Sequence, residues 1–217
     1  MKTTKTKKPN IIGLLNNKKM SCTILVTMGL LLGFNYRLMA QNASYNLNTV
    51  PIGGNYNAAF GQNALYINST GHDNTANGFY ALLLNTLGSW NTANGSWALS
   101  SNTSGNYNTA SGVYALQANT IGNNNTANGQ NALYTNISGN YNTGNGFGAL
   151  QSNTIGNYNT ALGYLANVAD GNLTNSTALG ANAIVDASNT IQLGNVSVTK
   201  VYAGVGNTAT LITGGLQ

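Results

Sequence analysis

Apolar and polar residues of this 217-residue chain follow a repeating pattern between Asn57 and Val185, with a constant 17-residue period. The repeat reads N-T-A-x-G-x-x-A-L-x-x-N-T-x-G-x-x, with small or aliphatic residues at its third, eighth and ninth positions. A fixed period this short is typical of a solenoid in which each coil of chain stacks on the one before. The eight copies begin at Asn57, Asn74, Asn91, Asn108, Asn125, Asn142, Asn159 and Ser176.

Glycine occupies two fixed positions of the repeat. The fifteenth position is glycine in six copies, and the fifth position is glycine in all eight. Because glycine adopts positive φ and lets backbones approach closely, these positions indicate tight corners between short extended segments. The fifth-position glycines are Gly61, Gly78, Gly95, Gly112, Gly129, Gly146, Gly163 and Gly180.

The spacing of the repeat favours strands and argues against helices. Glycine and asparagine recur within every turn-length, and no apolar stripe with a period of about 3.6 residues continues through a copy. Strands of roughly three to five residues joined by Gly and Asn corners fit the pattern. The sequence therefore predicts an all-β parallel solenoid of 17-residue coils. Coils stacked about 4.8 Å apart would form a rod of roughly 40 Å.

Stacking in phase aligns the asparagines of successive copies. Side-chain amides stacked at the strand spacing hydrogen-bond to one another and to the turn backbone. We therefore predict two structural asparagine ladders, one at the first position and one at the twelfth, rather than a row of ligand-binding amides. The first-position ladder includes Asn74, Asn91, Asn108, Asn125 and Asn142.

The interior of each coil is predicted to be thin. The third and eighth positions carry alanine in most copies, and the ninth position carries leucine in six. One leucine and two alanines bury little apolar surface relative to the entropy lost on ordering a whole coil. We therefore expect copies of the chain to associate with one another.

Positive charge is concentrated outside the repeats. The net charge is +5, but seven of the eight basic residues lie in the first 37 positions, around an apolar run from Met20 to Phe34. A basic segment, a short apolar run and a small residue predict a secretory signal peptide over 1–40, cleaved between Ala40 and Gln41. The rest divides into an N-terminal cap (41–56), the repeats (57–185) and a C-terminal closing segment (186–217), for which truncation is one interpretation.

Few side chains capable of chemistry remain after residue 40. The absence of a basic patch disfavours nucleic-acid binding, and His72 alone, without cysteine, gives no metal site. Asp73 and Asp170 would lie roughly 25–30 Å apart, too far for the paired carboxylates of a glycosidase. We therefore predict neither an enzyme nor a cofactor, and no membrane span in the mature chain. The charged residues of this part are Asp73, Asp170, Asp186 and Lys200.

Eight in-phase NTAxG coils with paired glycine corners resemble the head domain of trimeric autotransporter adhesins, the YadA-like head. The resemblance covers residues 57–185 and implies a left-handed parallel β-roll that assembles as a homotrimer. The tail carries NTIQLGN from Asn189 and VTKVY from Val198. It resembles the segment that precedes an endosialidase-type intramolecular chaperone in bacterial surface and tail-fibre-like proteins.

Two departures from that family limit what the resemblance implies. The usual coil of the family is shorter, and the closing segment shows neither the heptads of a stalk nor enough strands for a barrel anchor. We expect a protein that is secreted or held at the bacterial cell surface without its own anchor. It would be a structural or adhesion module, a rigid rod that binds a host protein, a glycan or a matrix surface. The alternatives are a tail-fibre-like shaft fragment lacking its chaperone, or an ice-binding solenoid built on aligned threonines.

Exposed aromatic residues are the best candidates for recognition. Tyr and Trp supply large contact areas at low entropic cost, so rings displayed on a rod suit binding to sugars or proteins. The alternative is that these rings stack along the rod or line the contact between subunits. The candidates are Trp90, Trp97, Tyr107, Tyr141 and Tyr158.

Overall fold

The computed structural model of the protein describes residues 43–45 and 54–199. The predicted signal peptide, the cleavage point between Ala40 and Gln41, and the end of the closing segment lie outside these ranges. The described residues form a parallel β-solenoid and contain no helix. This confirms the predicted all-β solenoid of 17-residue coils.

Twelve short strands build the solenoid, and ten of them form one parallel sheet in the order β1 to β8, β10, β12. β9 and β11 pair separately in a sheet of two strands. Their bounds are β1 Ala43–Tyr45, β2 Ala58–Phe60, β3 Thr75–Asn77, β4 Thr92–Asn94, β5 Thr109–Ser111, β6 Thr126–Asn128, β7 Thr143–Asn145, β8 Thr160–Leu162, β9 Asn167–Val168, β10 Thr177–Leu179, β11 Ile184–Val185 and β12 Ile191–Leu193.

The register of the large sheet follows the sequence repeat. Thr92 pairs with Thr109 and Ala93 with Ala110, so equivalent residues of successive coils lie directly over one another. The central alanine of each such strand is buried, whereas its neighbours face outward. Because side chains alternate across a strand, a slip of one residue would expose every alanine, so the apolar pattern fixes the register.

The stack continues for one strand beyond each end of the predicted repeats. Ala43 in β1 pairs with Ala58, and Thr177 pairs with Ile191 in β12. Part of the predicted cap and part of the predicted closing segment therefore belong to the solenoid. Ala43 precedes its partner by 15 residues and Ile191 follows its partner by 14, so these two strands lie outside the 17-residue phase of the repeat.

Leucine occupies an unusual backbone conformation in the core. Leu99 and Leu116, both fully buried, have φ of 51°, in the left-handed region. They turn the chain sharply, so that a coil of this type contains a single three-residue strand. In the last two full coils, Asn167 and Ile184 take the place of leucine, the chain runs extended, and β9 pairs with β11.

Both predicted sets of asparagines form buried ladders. Asn108 Oδ1 accepts from the backbone N–H of Asn125 (3.0 Å), and Asn108 Nδ2 donates to the carbonyl of Gly122 (2.8 Å). In the twelfth-position ladder, Asn119 Nδ2 donates to Asn102 Oδ1 (2.8 Å) and to the same Gly122 carbonyl (3.0 Å). Within the described ranges, every buried side-chain nitrogen and oxygen has a hydrogen-bond partner. The polar interior thus links each coil to the next.

A third ladder, at the sixteenth position, runs along the surface. Asn123 Oδ1 accepts from the backbone N–H of Asn106 (2.8 Å), and the N–H of Asn123 donates to Asn140 Oδ1 (2.9 Å). Each amide here caps the preceding coil, whereas the first-position amides cap the following coil. Consecutive coils are therefore hydrogen-bonded by side chains in both directions.

Candidate ligand-binding surface

The described coils carry few groups that could perform acid–base chemistry. His72 Nδ1 lies 2.9 Å from Asp73 Oδ2, on the surface. Across residues 54–199 we find no three His, Cys, Asp or Glu side chains grouped so that they could hold a metal ion. The same residues include no helix with the length and apolar character needed to cross a membrane.

An open cavity of about 460 Å³ lies near the C-terminal end of the described solenoid. Asn182, Ile184, Gln192 and Asn195 are among its lining residues. The lining carries no titratable group and a single hydroxyl, that of Ser197, and the cavity adjoins the point where the described chain stops. We therefore place the candidate site elsewhere, on the exposed rings.

The seventeenth position of the repeat forms a row along the outside of the solenoid, which we call the aromatic row. Its rings remain about half exposed, from 45% for Trp90 to 62% for Tyr56. Every member has φ between 55° and 59°, the left-handed conformation that directs the side chain off the corner. Its members are Tyr56, Asp73, Trp90, Tyr107, Asn124, Tyr141, Tyr158 and Asn175.

Neighbouring rings of the aromatic row stack face to face. The ring centres of Trp90 and Tyr107 are 4.8 Å apart with planes 2° from parallel. Those of Tyr141 and Tyr158 are 5.0 Å apart and 1° from parallel. Stacking and exposure are therefore compatible, because the four stacked rings are still 45–58% exposed. The two interpretations of these rings in the sequence do not exclude each other.

Trp97 belongs to a different cluster. It lies at the seventh position of its copy, just after the corner formed by Gly95, and it is only partly exposed. Its ring packs 4.5 Å from Tyr80 and 6.0 Å from Phe79. The structure thus brings four of the five predicted recognition residues into one row and places the fifth among rings that pack on each other.

The aromatic row shares its left-handed backbone conformation with the ninth-position leucines and with Trp97. A left-handed conformation suits Asn, Asp or Gly and costs other residues on the order of 1–3 kcal/mol. Asp73, Asn124 and Asn175 show that this corner accepts the easier residues. The other five members are nonetheless tyrosine or tryptophan, so favourable contacts made by their rings must offset this strain. Stacking between neighbouring rings supplies part of this favourable contact energy. The exposed parts of the rings are available for contacts with a ligand.

An exposed aliphatic row, at the fourteenth position, was not singled out from the sequence. Leu87, Ile121 and Ile155 are each at least half exposed, and they alternate with Ser104 and Ser138. The signal was present in the sequence as an aliphatic residue at this position in every second coil. These side chains are available for contact with another molecule. We call these three residues the aliphatic row.

The threonines at the second position face outward from the large sheet in register. The row beside them on the same face consists of Asn77, Asn94, Ser111 and Asn128 in the central coils. A second threonine set at the thirteenth position is engaged in bonds between coils, as Thr103 Oγ1 donates to the carbonyl of Thr120 (2.9 Å). The outward threonines thus form one narrow line.

No protein-family model matches this chain, and no protein in a search of curated sequences matches it. The resemblance to YadA-like heads accordingly rests on the NTAxG repeat of the sequence.

Proposed function

We propose that this protein is a secreted or surface-exposed adhesion module, a rigid rod that binds host or matrix surfaces through its exterior. The observation that carries the proposal is the aromatic row, whose rings lie half exposed on corners that Asn or Gly would occupy with less strain. In a shaft that only spans a distance, these rings would contribute only their stacking. An ice-binding face needs a broad threonine array, and the single line of outward threonines is flanked by asparagine and serine.

Rigidity supports the same proposal. Three asparagine ladders and a backbone hydrogen bond at nearly every turn hold each coil to the next. The exposed rings are therefore fixed at the spacing of the coils before any ligand arrives. Preorganised groups bind more tightly because little entropy is lost when the complex forms.

Adhesion is tested with beads coated with the full chain and passed over layers of cultured epithelial cells. We expect retention of these beads, and a severalfold lower retention for the double variant Trp90→Asn with Tyr107→Asn. Asparagine already occupies the same corner at Asn124, so the fold of the variant should be unchanged. Asn128→Ser, on the outward face of β6, serves as the control and should be retained like the unaltered chain. Beads that pass freely with the unaltered chain would contradict the proposal.

We further propose that the rod assembles as a homotrimer, a left-handed β-roll like the YadA-like head. The thin core supports association, because a typical coil buries only one leucine and two alanines. The aliphatic row also supports association, because its side chains are exposed.

Light scattering on the purified chain should give three times the mass of one chain. The triple variant Leu87→Ser, Ile121→Ser, Ile155→Ser should shift the mass toward one chain, since serine is native at this position in Ser104 and Ser138. Val113→Ser removes an aliphatic side chain of 40% exposure from another corner and should leave the mass unchanged. A folded monomer of the unaltered chain would exclude the trimer.

A further inference from the structure

The aromatic row is interrupted between two tyrosines, at Asn124. Tyr107 lies one coil before this residue and Tyr141 one coil after it. Stacked rings elsewhere in the row are 4.8 and 5.0 Å apart. The ring centres of Tyr107 and Tyr141 are thus separated by two coil spacings, about 10 Å. We call the space over Asn124 between these two rings the ring slot.

The size of the ring slot corresponds to one additional ring. A ring seated between the two tyrosines, above the Asn124 side chain, would lie within about 4.5–7 Å of both ring centres, the range in which rings attract one another. Both walls of the slot are tyrosine faces, and both tyrosines are 53% exposed. A six-membered ring can therefore enter from solvent and contact a tyrosine face on each side.

The neighbouring side chain of the protein does not fill the slot. Asn123 Nδ2 donates to the carbonyl of Ile121 (2.8 Å) and to Asn140 Oδ1 (3.1 Å). Asn123 Oδ1 accepts from the backbone N–H of Asn106 (2.8 Å). Both polar atoms of the Asn123 side chain are thus engaged, in the sixteenth-position ladder and with the Ile121 carbonyl, so its position is fixed by these bonds.

The equivalent interruption at Asp73 shows what happens when the ladder residue is replaced. His72 occupies the same position of the repeat as Asn123, three coils earlier, and its imidazole lies 4.4 Å from the Trp90 ring, edge to face. The same imidazole bonds to Asp73 through Nδ1. There the protein places its own ring beside the end of the aromatic stack. Beside Asn124 the corresponding residue is Asn123, which has no ring to place there.

We propose that the ring slot binds one pyranose ring of a neutral glycan. The proposal rests on the proposed function, because it names the ligand class that the exposed rings would recognise. The C–H bonds on the two faces of a pyranose meet the electron-rich faces of Tyr107 and Tyr141. The exposed amide of Asn124 forms the floor, and it offers both a donor and an acceptor to the hydroxyl groups at the sugar's edge.

The polarity of the slot favours a neutral sugar over other rings. Residues 54–199 contain no Lys or Arg, so a nucleotide or an acidic sugar would find no cation to neutralise it. A phenyl ring from a protein would leave the Asn124 amide covered and without a polar partner, which costs about 1–3 kcal/mol. A pyranose avoids both penalties, since it is uncharged and carries hydroxyl groups around its rim.

The test is saturation-transfer NMR on the full chain with three neutral probes, namely cellohexaose, maltohexaose and chitohexaose. At least one should receive magnetisation from the tyrosine rings. The variant Asn124→Tyr fills the slot and completes the row with a residue native at four other members, so it should weaken binding by at least about tenfold. Asn131→Tyr adds the same side chain in the same backbone conformation (φ 58°) at another corner, and it should bind like the unaltered chain.

The results separate the slot from the adhesive role. Binding that survives Asn124→Tyr, or no transfer to any probe, would overturn the ring slot. If beads coated with the chain still adhere to cells in that case, the proposed function stands without it. Saturation transfer that disappears in Asn124→Tyr and persists in Asn131→Tyr supports the slot, even where the beads do not adhere.

Discussion

Asn108→Asp should be among the most damaging single substitutions in this protein, lowering the free energy of unfolding by about 3–5 kcal/mol at neutral pH. The Asn108 side chain is fully buried and makes four hydrogen bonds. Its Nδ2 donates to the carbonyl of Gly122 (2.8 Å) and to Asn91 Oδ1 (3.1 Å). An aspartate would set a second oxygen against these two acceptors and bring an unpaired charge into the core.

The loss of stability in Asn108→Asp should depend on pH. Burial raises the pKa of the introduced carboxyl above its value in the unfolded chain, so the folded state binds the proton more tightly. The variant is then most stable below the unfolded pKa of about 3.9, and it loses stability as the pH rises through the folded pKa. Asn108→Ala carries no charge and should cost about 2–4 kcal/mol at every pH, because the buried N–H of Asn125 loses its acceptor.

Thermal and urea unfolding followed by circular dichroism, at one fixed chain concentration, would measure both variants. Concentration must be fixed because association contributes to apparent stability. Asn128→Asp makes the same chemical change on the exposed face of the next coil and should alter stability by less than about 0.5 kcal/mol. Equal losses for Asn108→Asp and Asn128→Asp would show that the ladder does not hold the coils together.

Most of the fold could be predicted from the 17-residue repeat. Once equivalent residues stack, burial of Ala93 and Ala110 fixes the register, and the first- and twelfth-position asparagines must meet their counterparts. The strands at the two ends could not be found in this way, because they lie outside the 17-residue phase of the repeat. The left-handed conformation of Leu116 also carries no signal in the sequence, since leucine has no preference for positive φ.

The candidate site was predictable as a set of residue types but not as a geometry. Sequence alone identified Trp90 and Tyr107 as neighbours in phase, and the structure adds that their rings stack at 4.8 Å. The sequence places Trp97 at a different position of the repeat, and the structure adds that its ring packs against Tyr80.

The interruption at Asn124 is visible in the sequence as a missing aromatic residue. Whether this interruption can bind a ligand depends on the neighbouring Asn123. Only the structure shows that the Asn123 amide is hydrogen-bonded to Ile121 and Asn140.

Gly112→Ala should destabilise the solenoid by about 3 kcal/mol or more, through the backbone and through a clash with the next coil. Gly112 has φ of 138°, a conformation that is essentially restricted to glycine. A methyl group at this position would lie 2.6 Å from both the carbonyl carbon and the oxygen of Gly129. Those are backbone atoms of the adjacent corner, so they can retreat only if the two coils move apart.

Separation of the coils would spread the effect of this substitution beyond its own corner. The N–H of Gly112 donates to the carbonyl of Asn94 (2.9 Å), and the N–H of Gly129 donates to the carbonyl of Ser111 (2.8 Å). In a solenoid each coil contacts only its neighbours, so a weakened interface divides the stack into two shorter and less stable parts. Hydrogen exchange should therefore become faster on both sides of Gly112, while the ends of the stack change little. Ser111→Ala replaces a side chain one residue earlier, on the outward face of β5, and should leave both exchange and melting temperature nearly unchanged. If Gly112→Ala melted like Ser111→Ala, the close packing of successive glycine corners would not be what limits the stability of the rod.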